Sequence, residues 1–198
     1  SSLSSSDYEC LKEFTYFLIE EMGNQHVNIS LPSLRIDAFS LDVMKKVQDI
    51  KKSSLTFAPE AGTQRLRDVI NKGLTEEVIL NGAMQAFHGG WNKVKFYFML
   101  GLPTETMEDA EGIPALCERV AEAYYDIPKD QRNGKISITA SSSFFVPKPF
   151  TPFQWAAMLD PETYIERAHH VKDTFRQQLN AKSLKYTYHE SYRSEERR

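Results

Sequence analysis

Hydrophobic residues follow two alternating spacings along the chain. In some segments they recur every three or four residues, as on one face of an amphipathic helix, and between these segments lie short runs rich in β-branched and aromatic residues. The clearest such run is "KVKFYFML" at 93–100. The pattern predicts strands at 27–31, 54–58, 93–100 and 136–146, and helices at 7–22, 41–50, 64–71, 76–87, 161–179 and from 107 to at least 124.

Residues that cap helices stand before most of the predicted helices. Ser6 is followed three residues later by Glu9, which is the spacing of a capping box. Serine, threonine and aspartate are favoured before a helix because their side-chain oxygens accept hydrogen bonds from backbone N–H groups that have no partner within the helix. The other predicted caps are Ser40, Thr63, Thr75, Thr106 and Asp160, the last of which is followed by Pro161.

The order of these elements is one helix followed by four strand–helix units. Such alternation favours parallel strands connected by crossover helices, and therefore an α/β fold. We expect the four strands to be neighbours in chain order, with the helices packed on one face of the sheet. In parallel barrels and in open parallel sheets, ligands bind at the carboxyl ends of the strands. The residues that follow each strand are therefore the first place to look for a site.

Composition narrows the classes of protein and of partner. The 198 residues are 41% hydrophobic and 26% charged, which suits one globular unit with a substantial core. The formal net charge of -3 gives no support for a polycation that binds nucleic acid. No apolar run is long enough to span a membrane, no signal peptide is recognisable, and two cysteines suit a cytoplasmic protein. Because the chain does not begin with Met, we expect it to be part of a longer polypeptide.

Charged side chains follow the predicted strands, where a small ligand is expected. Arg35, Glu60, Arg65 and Glu105 all lie in or just beyond these turns. Glutamate accepts hydrogen bonds from hydroxyls or from an ammonium group, and arginine binds a carboxylate through two parallel bonds. The set therefore suits a ligand with an amine, a carboxylate and hydroxyls, and the Gly-Leu-Pro turn at 101–103 allows the backbone to approach a flat ring.

Each of these charges also has a purely structural interpretation. A carboxylate near a helix N-terminus is stabilised by the helix dipole, and an exposed arginine on a helix is commonly solvated. These alternatives are a dipole charge for Glu60, capping groups for Glu105 and Asp109, solvated helix residues for Arg65 and Arg67, and an ion pair of Arg35 with Asp37 or Asp42.

Three stretches of the chain resemble a known family. They are "SLTFAPEAGTQRLRDVINKG" at 54–73, "VKFYFMLGLPTETMEDAEGI" at 94–113 and "SSFFVPKPFTPFQW" at 142–155. Together they resemble the radical S-adenosylmethionine (radical SAM) superfamily, with a core like those of methylthiotransferases and elongator-like proteins. The resemblance is greatest to a subfamily of unassigned function in which this core follows a cobalamin-binding-like region. It extends from about residue 1 to 155.

The resemblance implies a fold and an activity. The superfamily has an incomplete (β/α)6 barrel, a partial TIM barrel with parallel strands and outer helices. Three cysteines in C-x-x-x-C-x-x-C hold a [4Fe–4S] cluster on which S-adenosylmethionine is cleaved reductively to a 5′-deoxyadenosyl radical. This chain lacks that motif. Residues 1–180 would therefore supply the end of the second strand through the sixth strand and its helix, without cluster ligands, and 181–198 a C-terminal tail or the start of a following region.

The resemblance also implies cofactor-binding residues within this chain, but no catalytic residue and no metal ligand. Ser5 and Ser6 would approach the amino group of S-adenosylmethionine, and Glu60 the ribose. A basic residue, Arg65 or Lys72, would meet the carboxylate, with Arg35 on the same rim. Around the adenine would lie Gly101, Pro103, Phe145 and Val146.

The complete protein would then be an iron–sulfur oxidoreductase-type enzyme whose substrate the sequence does not identify, and this chain alone would be inactive. Two alternatives remain open at this point: a non-catalytic barrel module of an RNA-modification or other assembly, and a sugar-phosphate barrel enzyme. Cobalamin would depend on a region outside this chain.

An incomplete barrel would have one open sheet edge, and open edges pair with other strands. We therefore expect some self-association of the chain. Light scattering at several protein concentrations measures it, and an apparent mass that stays at the monomer value over the whole concentration range would contradict this expectation.

Overall fold

The computed structural model describes residues 9–22 and 55–189. The predicted strand at 27–31 and the predicted helix at 41–50 lie outside these ranges. The described elements, in chain order, are α1 (Leu11–Met22), β1 (Leu55–Glu60), α2 (Gln64–Val69), α3 (Glu76–His88), β2 (Lys93–Leu100), α4 (Met107–Asp126), β3 (Ser137–Phe144), α5 (Pro161–Gln177) and β4 (Leu184–Tyr188), with short 3-10 helices at Lys129–Gln131 and Ala181–Ser183.

The four described strands form one parallel sheet in the order β1-β2-β3-β4. Each of the first three strands is followed by at least one helix before the next strand begins. The predicted α/β class is confirmed, and so are the parallel pairing and the chain order of β1, β2 and β3, the predicted strands that lie within the described residues. The arrangement is consistent with part of a radical-SAM-type barrel.

The two faces of the sheet differ in polarity. Along β2 the side chains of Val94, Phe96, Phe98 and Leu100 are buried, whereas the intervening ones are exposed or half-buried. The buried side chains pack in one core with apolar residues of α3, α4 and α5, so these three helices cover the same face. Cys117 of α4 lies in this core, as its position on the apolar stripe predicts.

The predicted caps in the described part of the chain are confirmed. Thr63, Thr75 and Asp160 each accept a hydrogen bond from a backbone N–H of the first turn of the following helix. Thr106 and Asp109 form a reciprocal capping box at the start of α4. Because the helix starts follow β1 and β2 closely, these caps fix the turns at the carboxyl ends of both strands.

Two features of the sheet differ from the sequence analysis. Strand β1 runs to Glu60, past Pro59, because its pairing with β2 is irregular between Phe57 and Glu60, and proline is tolerated at such a bulge. Strand β4 was not predicted and lies beyond residue 180, where we ended the core. Its five residues, "LKYTY", form a short edge strand in which only alternate side chains face the core.

A close backbone contact joins the turn after β1 to the first turns of α4. A Cβ atom added to Gly62 would lie 2.8 Å from the carbonyl oxygen of Asp109, and one added to Gly112 would lie 2.6 Å from the Thr63 side chain. Real Cβ atoms essentially never lie this close to another heavy atom to which they are not bonded. Only glycine fits at either position, so the two segments pack with no side chain between them.

We therefore predict that Gly62→Ala destabilises the fold by about 3 kcal/mol, at the upper end of the cost of overpacking, since the new methyl group meets backbone atoms that cannot rotate away. Urea unfolding of both proteins measures the difference. Gly73→Ala is the matched control. Gly73 has a φ of 63° but open space around it, so its substitution should cost only the left-handed strain of about 1–2 kcal/mol. Equal losses in the two variants would contradict the packing argument.

Candidate ligand-binding site at the strand ends

Glu60 occupies the last position of β1 in a conformation unusual for its residue type. Its φ is 68°, in the left-handed region that few residues other than glycine adopt. Its side chain is about one quarter exposed, and the Lys72 ammonium donates a hydrogen bond to its carboxylate at 3.2 Å. A half-buried carboxylate with one cationic partner still has lone pairs for another donor.

Asp109 connects the turn after β1 with the start of α4. Its carboxylate accepts hydrogen bonds from the Thr63 hydroxyl and from the Arg65 guanidinium. It also accepts the Thr106 backbone N–H at 2.9 Å and the Thr106 hydroxyl at 2.8 Å. Burial disfavours the charged carboxylate, but these donors outweigh that effect and hold the pKa of Asp109 well below its usual value.

Arg65 and Arg67 therefore have different structural roles. Besides Asp109, Arg65 donates to the backbone carbonyl of Thr104 at 2.8 Å. The solvated interpretation of Arg67 is wrong, because its side chain is completely buried. Its guanidinium donates to the backbone carbonyls of Ala61 at 3.0 Å, Gly62 at 3.1 Å and Leu74 at 3.0 Å.

Arg67 thus replaces water at the unpaired carbonyls of the turn after β1. Burial lowers its pKa from the ordinary value for arginine. Its guanidinium also donates to the amide oxygen of Gln64 at 3.2 Å, and the nearby carboxylates of Glu76 and Asp68 partly oppose the effect of burial on its pKa. Both arginines hold the turn in shape.

A pocket of about 400 Å³ lies at the carboxyl end of β2. Its walls are the turn Gly101–Glu105, the segment Ala156–Leu159, and Arg167 of α5. Gly101 has a φ of 84°, which glycine adopts without strain. The turn therefore curls over the strand end and presents backbone to the pocket.

Glu105 and Arg167 form an ion pair beside this pocket. The Glu105 side chain is 2% exposed, accepts the Gly101 N–H at 3.0 Å and binds the Arg167 guanidinium. Burial raises the pKa of Glu105 even though Arg167 and the Gly101 N–H work in the opposite direction. Nε of Arg167 is buried and has no hydrogen-bond partner. The pair fixes α5 against the Gly-Leu-Pro turn.

The end of β3 contributes apolar surface to the same region. Phe145 is buried in a small cluster with Ala61, Leu66 and Leu102, directly beneath the strand ends. Its backbone N–H already donates to the Leu100 carbonyl at 2.9 Å. Val146 is partly buried against the main core. These positions brace the turn after β2 from the side of β3.

The structure separates the predicted site residues into neighbouring groups. Gly101 and Pro103 line the pocket, whereas Glu60 pairs with Lys72, Arg65 joins the Asp109 network, and none of these three lines the pocket. Ser5, Ser6 and Arg35 lie outside the described residues.

Sequence reasoning missed the roles of Arg67 and Arg167. Arg67 stands one turn into α2 among polar neighbours, so nothing in the local pattern signals its burial. Arg167 is 62 residues from Glu105, and only the packing of α5 on β2 brings them together.

Comparison of the sequence with known proteins identifies the family of this chain. The family described as the radical SAM superfamily matches residues 5–117, more than half of the chain, and the match includes the ends of β1 and β2. The chain belongs to the radical SAM superfamily.

One curated protein is similar to this superfamily member over most of the chain. The "Uncharacterized protein MJ0966" of Methanocaldococcus jannaschii is 40% identical over 151 residues. The matched region covers 76% of this chain but only 30% of that protein. The chain therefore spans less than a third of the curated relative's length.

The described part of this radical SAM chain offers no set of ligands for a metal cluster. Among residues 9–22 and 55–189, no group of three histidine, cysteine or carboxylate side chains could hold a metal ion. Cys10 is exposed, whereas Cys117 is buried in the core, and burial raises the pKa of its thiol. Within the same residues, no helix is long and apolar enough to cross a membrane.

The Asp109 network predicts a specific pH dependence. Asp109→Asn should destabilise the chain by about 2 kcal/mol at pH 7, because hydrogen bonds to a charged acceptor are lost. The folded-state pKa of Asp109 lies below the unfolded value of about 3.9. Its contribution is therefore present above about pH 5 and is lost as the pH falls through the folded-state pKa.

The difference in the free energy of unfolding between wild type and Asp109→Asn should accordingly become smaller below about pH 4. Urea unfolding at a series of pH values measures it. Glu122→Gln, at an exposed position near the C-terminal end of α4, should change stability by less than about 0.5 kcal/mol at every pH. A difference between wild type and Asp109→Asn that does not vary with pH would contradict the assignment.

Proposed function

We propose that this chain is the S-adenosylmethionine-binding portion of a radical SAM enzyme, whose complete form cleaves S-adenosylmethionine to generate a 5′-deoxyadenosyl radical. The observation that carries the proposal is the superfamily match, which includes the strand ends that hold Glu60 and the Gly101–Glu105 turn. Ligands of parallel α/β sheets bind at these ends.

Glu60 and Lys72 suit the polar half of S-adenosylmethionine. The Glu60 carboxylate is partly exposed at the end of β1, where it would accept hydrogen bonds from the ribose hydroxyls. Lys72 is a better candidate than Arg65 for the ligand carboxylate. The Arg65 guanidinium is already bound by Asp109, whereas the side chain of Lys72 is one third exposed and has a single described contact.

The turn after β2 suits the flat half of the ligand. The left-handed φ of Gly101 and the following Pro103 present a rigid edge of backbone to the pocket. We assign the adenine to this edge, with Phe145 and Val146 supporting it from the end of β3. Ser5, Ser6 and Arg35 complete the proposed rim. In this assignment Glu105 and Arg167 position the turn and do not touch the ligand.

The [4Fe–4S] cluster does not fit the side chains of the described residues, and we assign its ligands to a part of a longer protein outside this chain. The match covers only 30% of the relative's length, and this supports a longer protein. In that protein, residues 1–180 would be part of the radical SAM core. We place it, on the sequence resemblance, in the subfamily with a preceding cobalamin-binding-like region and in the cytoplasm; nothing in this chain supports cobalamin itself.

We predict that Glu60→Gln in the complete enzyme raises the KM for S-adenosylmethionine by about 10- to 100-fold, since a charged acceptor for the ribose hydroxyls is lost. Formation of 5′-deoxyadenosine under reducing, anaerobic conditions measures it. Lys72→Met should also raise KM, and Glu122→Gln, which replaces an exposed carboxylate of α4, should leave it unchanged.

Two results would count against the function. If Arg65→Lys raised KM more than Lys72→Met while thermal stability stayed constant, Lys72 would not be the residue that binds the carboxylate of S-adenosylmethionine. A version of the chain that is extended upstream should take up iron and sulfide on anaerobic reconstitution. If it does not, the assignment as part of a radical SAM enzyme is wrong, and the alternative of a non-catalytic binding module takes its place. The present chain alone should bind S-adenosylmethionine only weakly, at about millimolar concentration.

A further inference from the structure

The loop between β3 and α5 exposes two large aromatic side chains. Phe150 is 98% exposed and Trp155 is 90% exposed, whereas Trp91, the other tryptophan of the chain, is buried. Single apolar side chains are common on protein surfaces, but larger exposed apolar patches mark sites of interaction. We call residues 147–155 the aromatic loop.

Hydrogen bonds within the aromatic loop close it into a compact turn. The Phe150 backbone N–H donates to the side-chain oxygen of Gln154 at 3.2 Å, and the Thr151 hydroxyl donates to the Lys148 carbonyl at 2.7 Å. The Gln154 backbone N–H in turn donates to the Thr151 carbonyl at 3.0 Å. Both exposed aromatic side chains therefore extend from one ordered turn.

The aromatic loop is anchored at its base and strained at its tip. Phe153 packs on the small cluster beneath the strand ends, where its ring meets that of Phe145 edge to face at 6.4 Å. Phe150 has a φ of 62°, which is unfavourable for a bulky residue and persists only where the surrounding structure enforces it. Three prolines within 147–152 restrict the backbone further. A rigid loop loses little conformational entropy when its side chains bind a partner.

The composition of this segment favours an apolar protein surface as the partner. From residue 144 to residue 159 the only charged side chain is that of Lys148. A phosphate backbone is bound by several cations together, so a single lysine gives little support for nucleic acid. The cores of protein interfaces are instead poor in charge and rich in aromatic residues.

The size of the patch favours a partner within the same polypeptide. Two aromatic side chains and an equal area of partner surface would bury about 600–1,000 Å² in total. Stable complexes of separate proteins bury about 1,200–2,000 Å². Contacts between domains of one polypeptide bury about 600–1,500 Å², and they can be small because covalent connection raises the effective concentration of the partner.

We infer that the aromatic loop docks onto an apolar surface of another part of the same, longer polypeptide. Such a polypeptide is supported by the Methanocaldococcus jannaschii relative, of which the matched region covers only 30%. The partner surface would accept Phe150 and Trp155 in apolar pockets and place a carboxylate beside Lys148. The inference requires neither S-adenosylmethionine nor a cluster.

Hydroxyl-radical labelling with detection by mass spectrometry tests the inference on the complete protein and on this chain alone, at equal low concentration. Phe150 and Trp155 should be labelled at least about fivefold more slowly in the complete protein, since docked anchors are shielded from water. Leu179 is the control, because it is 88% exposed and follows α5, whose 17 residues place it about 25 Å from the aromatic loop. Its labelling should be equal in both forms.

A substitution tests whether the two aromatic side chains dock together. In the complete protein, Trp155→Ala should raise the labelling of Phe150 at least about threefold, because truncation of a buried tryptophan weakens an interface strongly. Leu179→Ala, which truncates an equally exposed side chain, should leave it unchanged. Both variants of the chain alone should keep the wild-type urea midpoint, and this separates loss of docking from loss of folding.

Four results would overturn the inference. Equal labelling of the aromatic loop in both forms would leave it open to a separate partner, and an unchanged Phe150 rate in Trp155→Ala would mean that the pair does not act as one anchor. Slow labelling of the chain alone at every concentration would place the covering surface within this chain. Slow labelling only at high concentration would indicate a second copy.

The proposed function can fail while this inference stands. Glu60→Gln should leave the labelling of Phe150 and Trp155 unchanged in the complete protein. If Glu60→Gln does not alter the KM for S-adenosylmethionine but the two aromatic side chains are still protected, only the assignment of the ligand site falls.

Discussion

The contact between Gly62 and the first turns of α4 is the constraint on which the arrangement of the strand ends depends. With no Cβ on either Gly62 or Gly112, the turn after β1 lies directly against helix backbone. At that distance the polar groups of both segments lose water and need internal partners. Asp109 supplies acceptors for Thr63 and Thr106, while Arg67 supplies donors for the carbonyls of Ala61 and Gly62. Buried polar groups without partners would make such a contact unfavourable.

Because of this constraint, the charged residues near the strand ends fall into two groups. Arg65, Arg67 and Asp109 are held by protein groups, and their positions follow from closing the turn. Glu60 and Lys72 lie just beyond the contact and bind mainly each other, with part of each side chain open to solvent. The left-handed backbone of Glu60 is a local cost that the bulge and the closed turn enforce. This partly solvated pair, in which Glu60 alone has a strained backbone, is therefore a better candidate for binding a ligand than the buried network.

The sequence was sufficient for the elements whose signals are local. Strand β2 alternates over eight residues, and Thr106 with Asp109 has the spacing of a capping box, so the strand and the helix start were both predicted. The parallel order followed from the alternation of strands and helices. Strand β4 has a weak pattern because it is short and one of its faces is polar. The burial of Arg67 and the pairing of Glu105 with Arg167 depend on segments far apart in the chain. The spacing of hydrophobic residues within each segment therefore cannot predict them.

The two faces of the sheet also have different roles. Helices α3, α4 and α5 bury the apolar side chains of all four strands on one face, and that burial supplies the stability of the unit. The other face can therefore carry lysines and hydroxyls without loss of the core. Strand β2 joins the two regions, since it holds Lys95 on the face opposite these helices and leads directly into the Gly101–Glu105 turn.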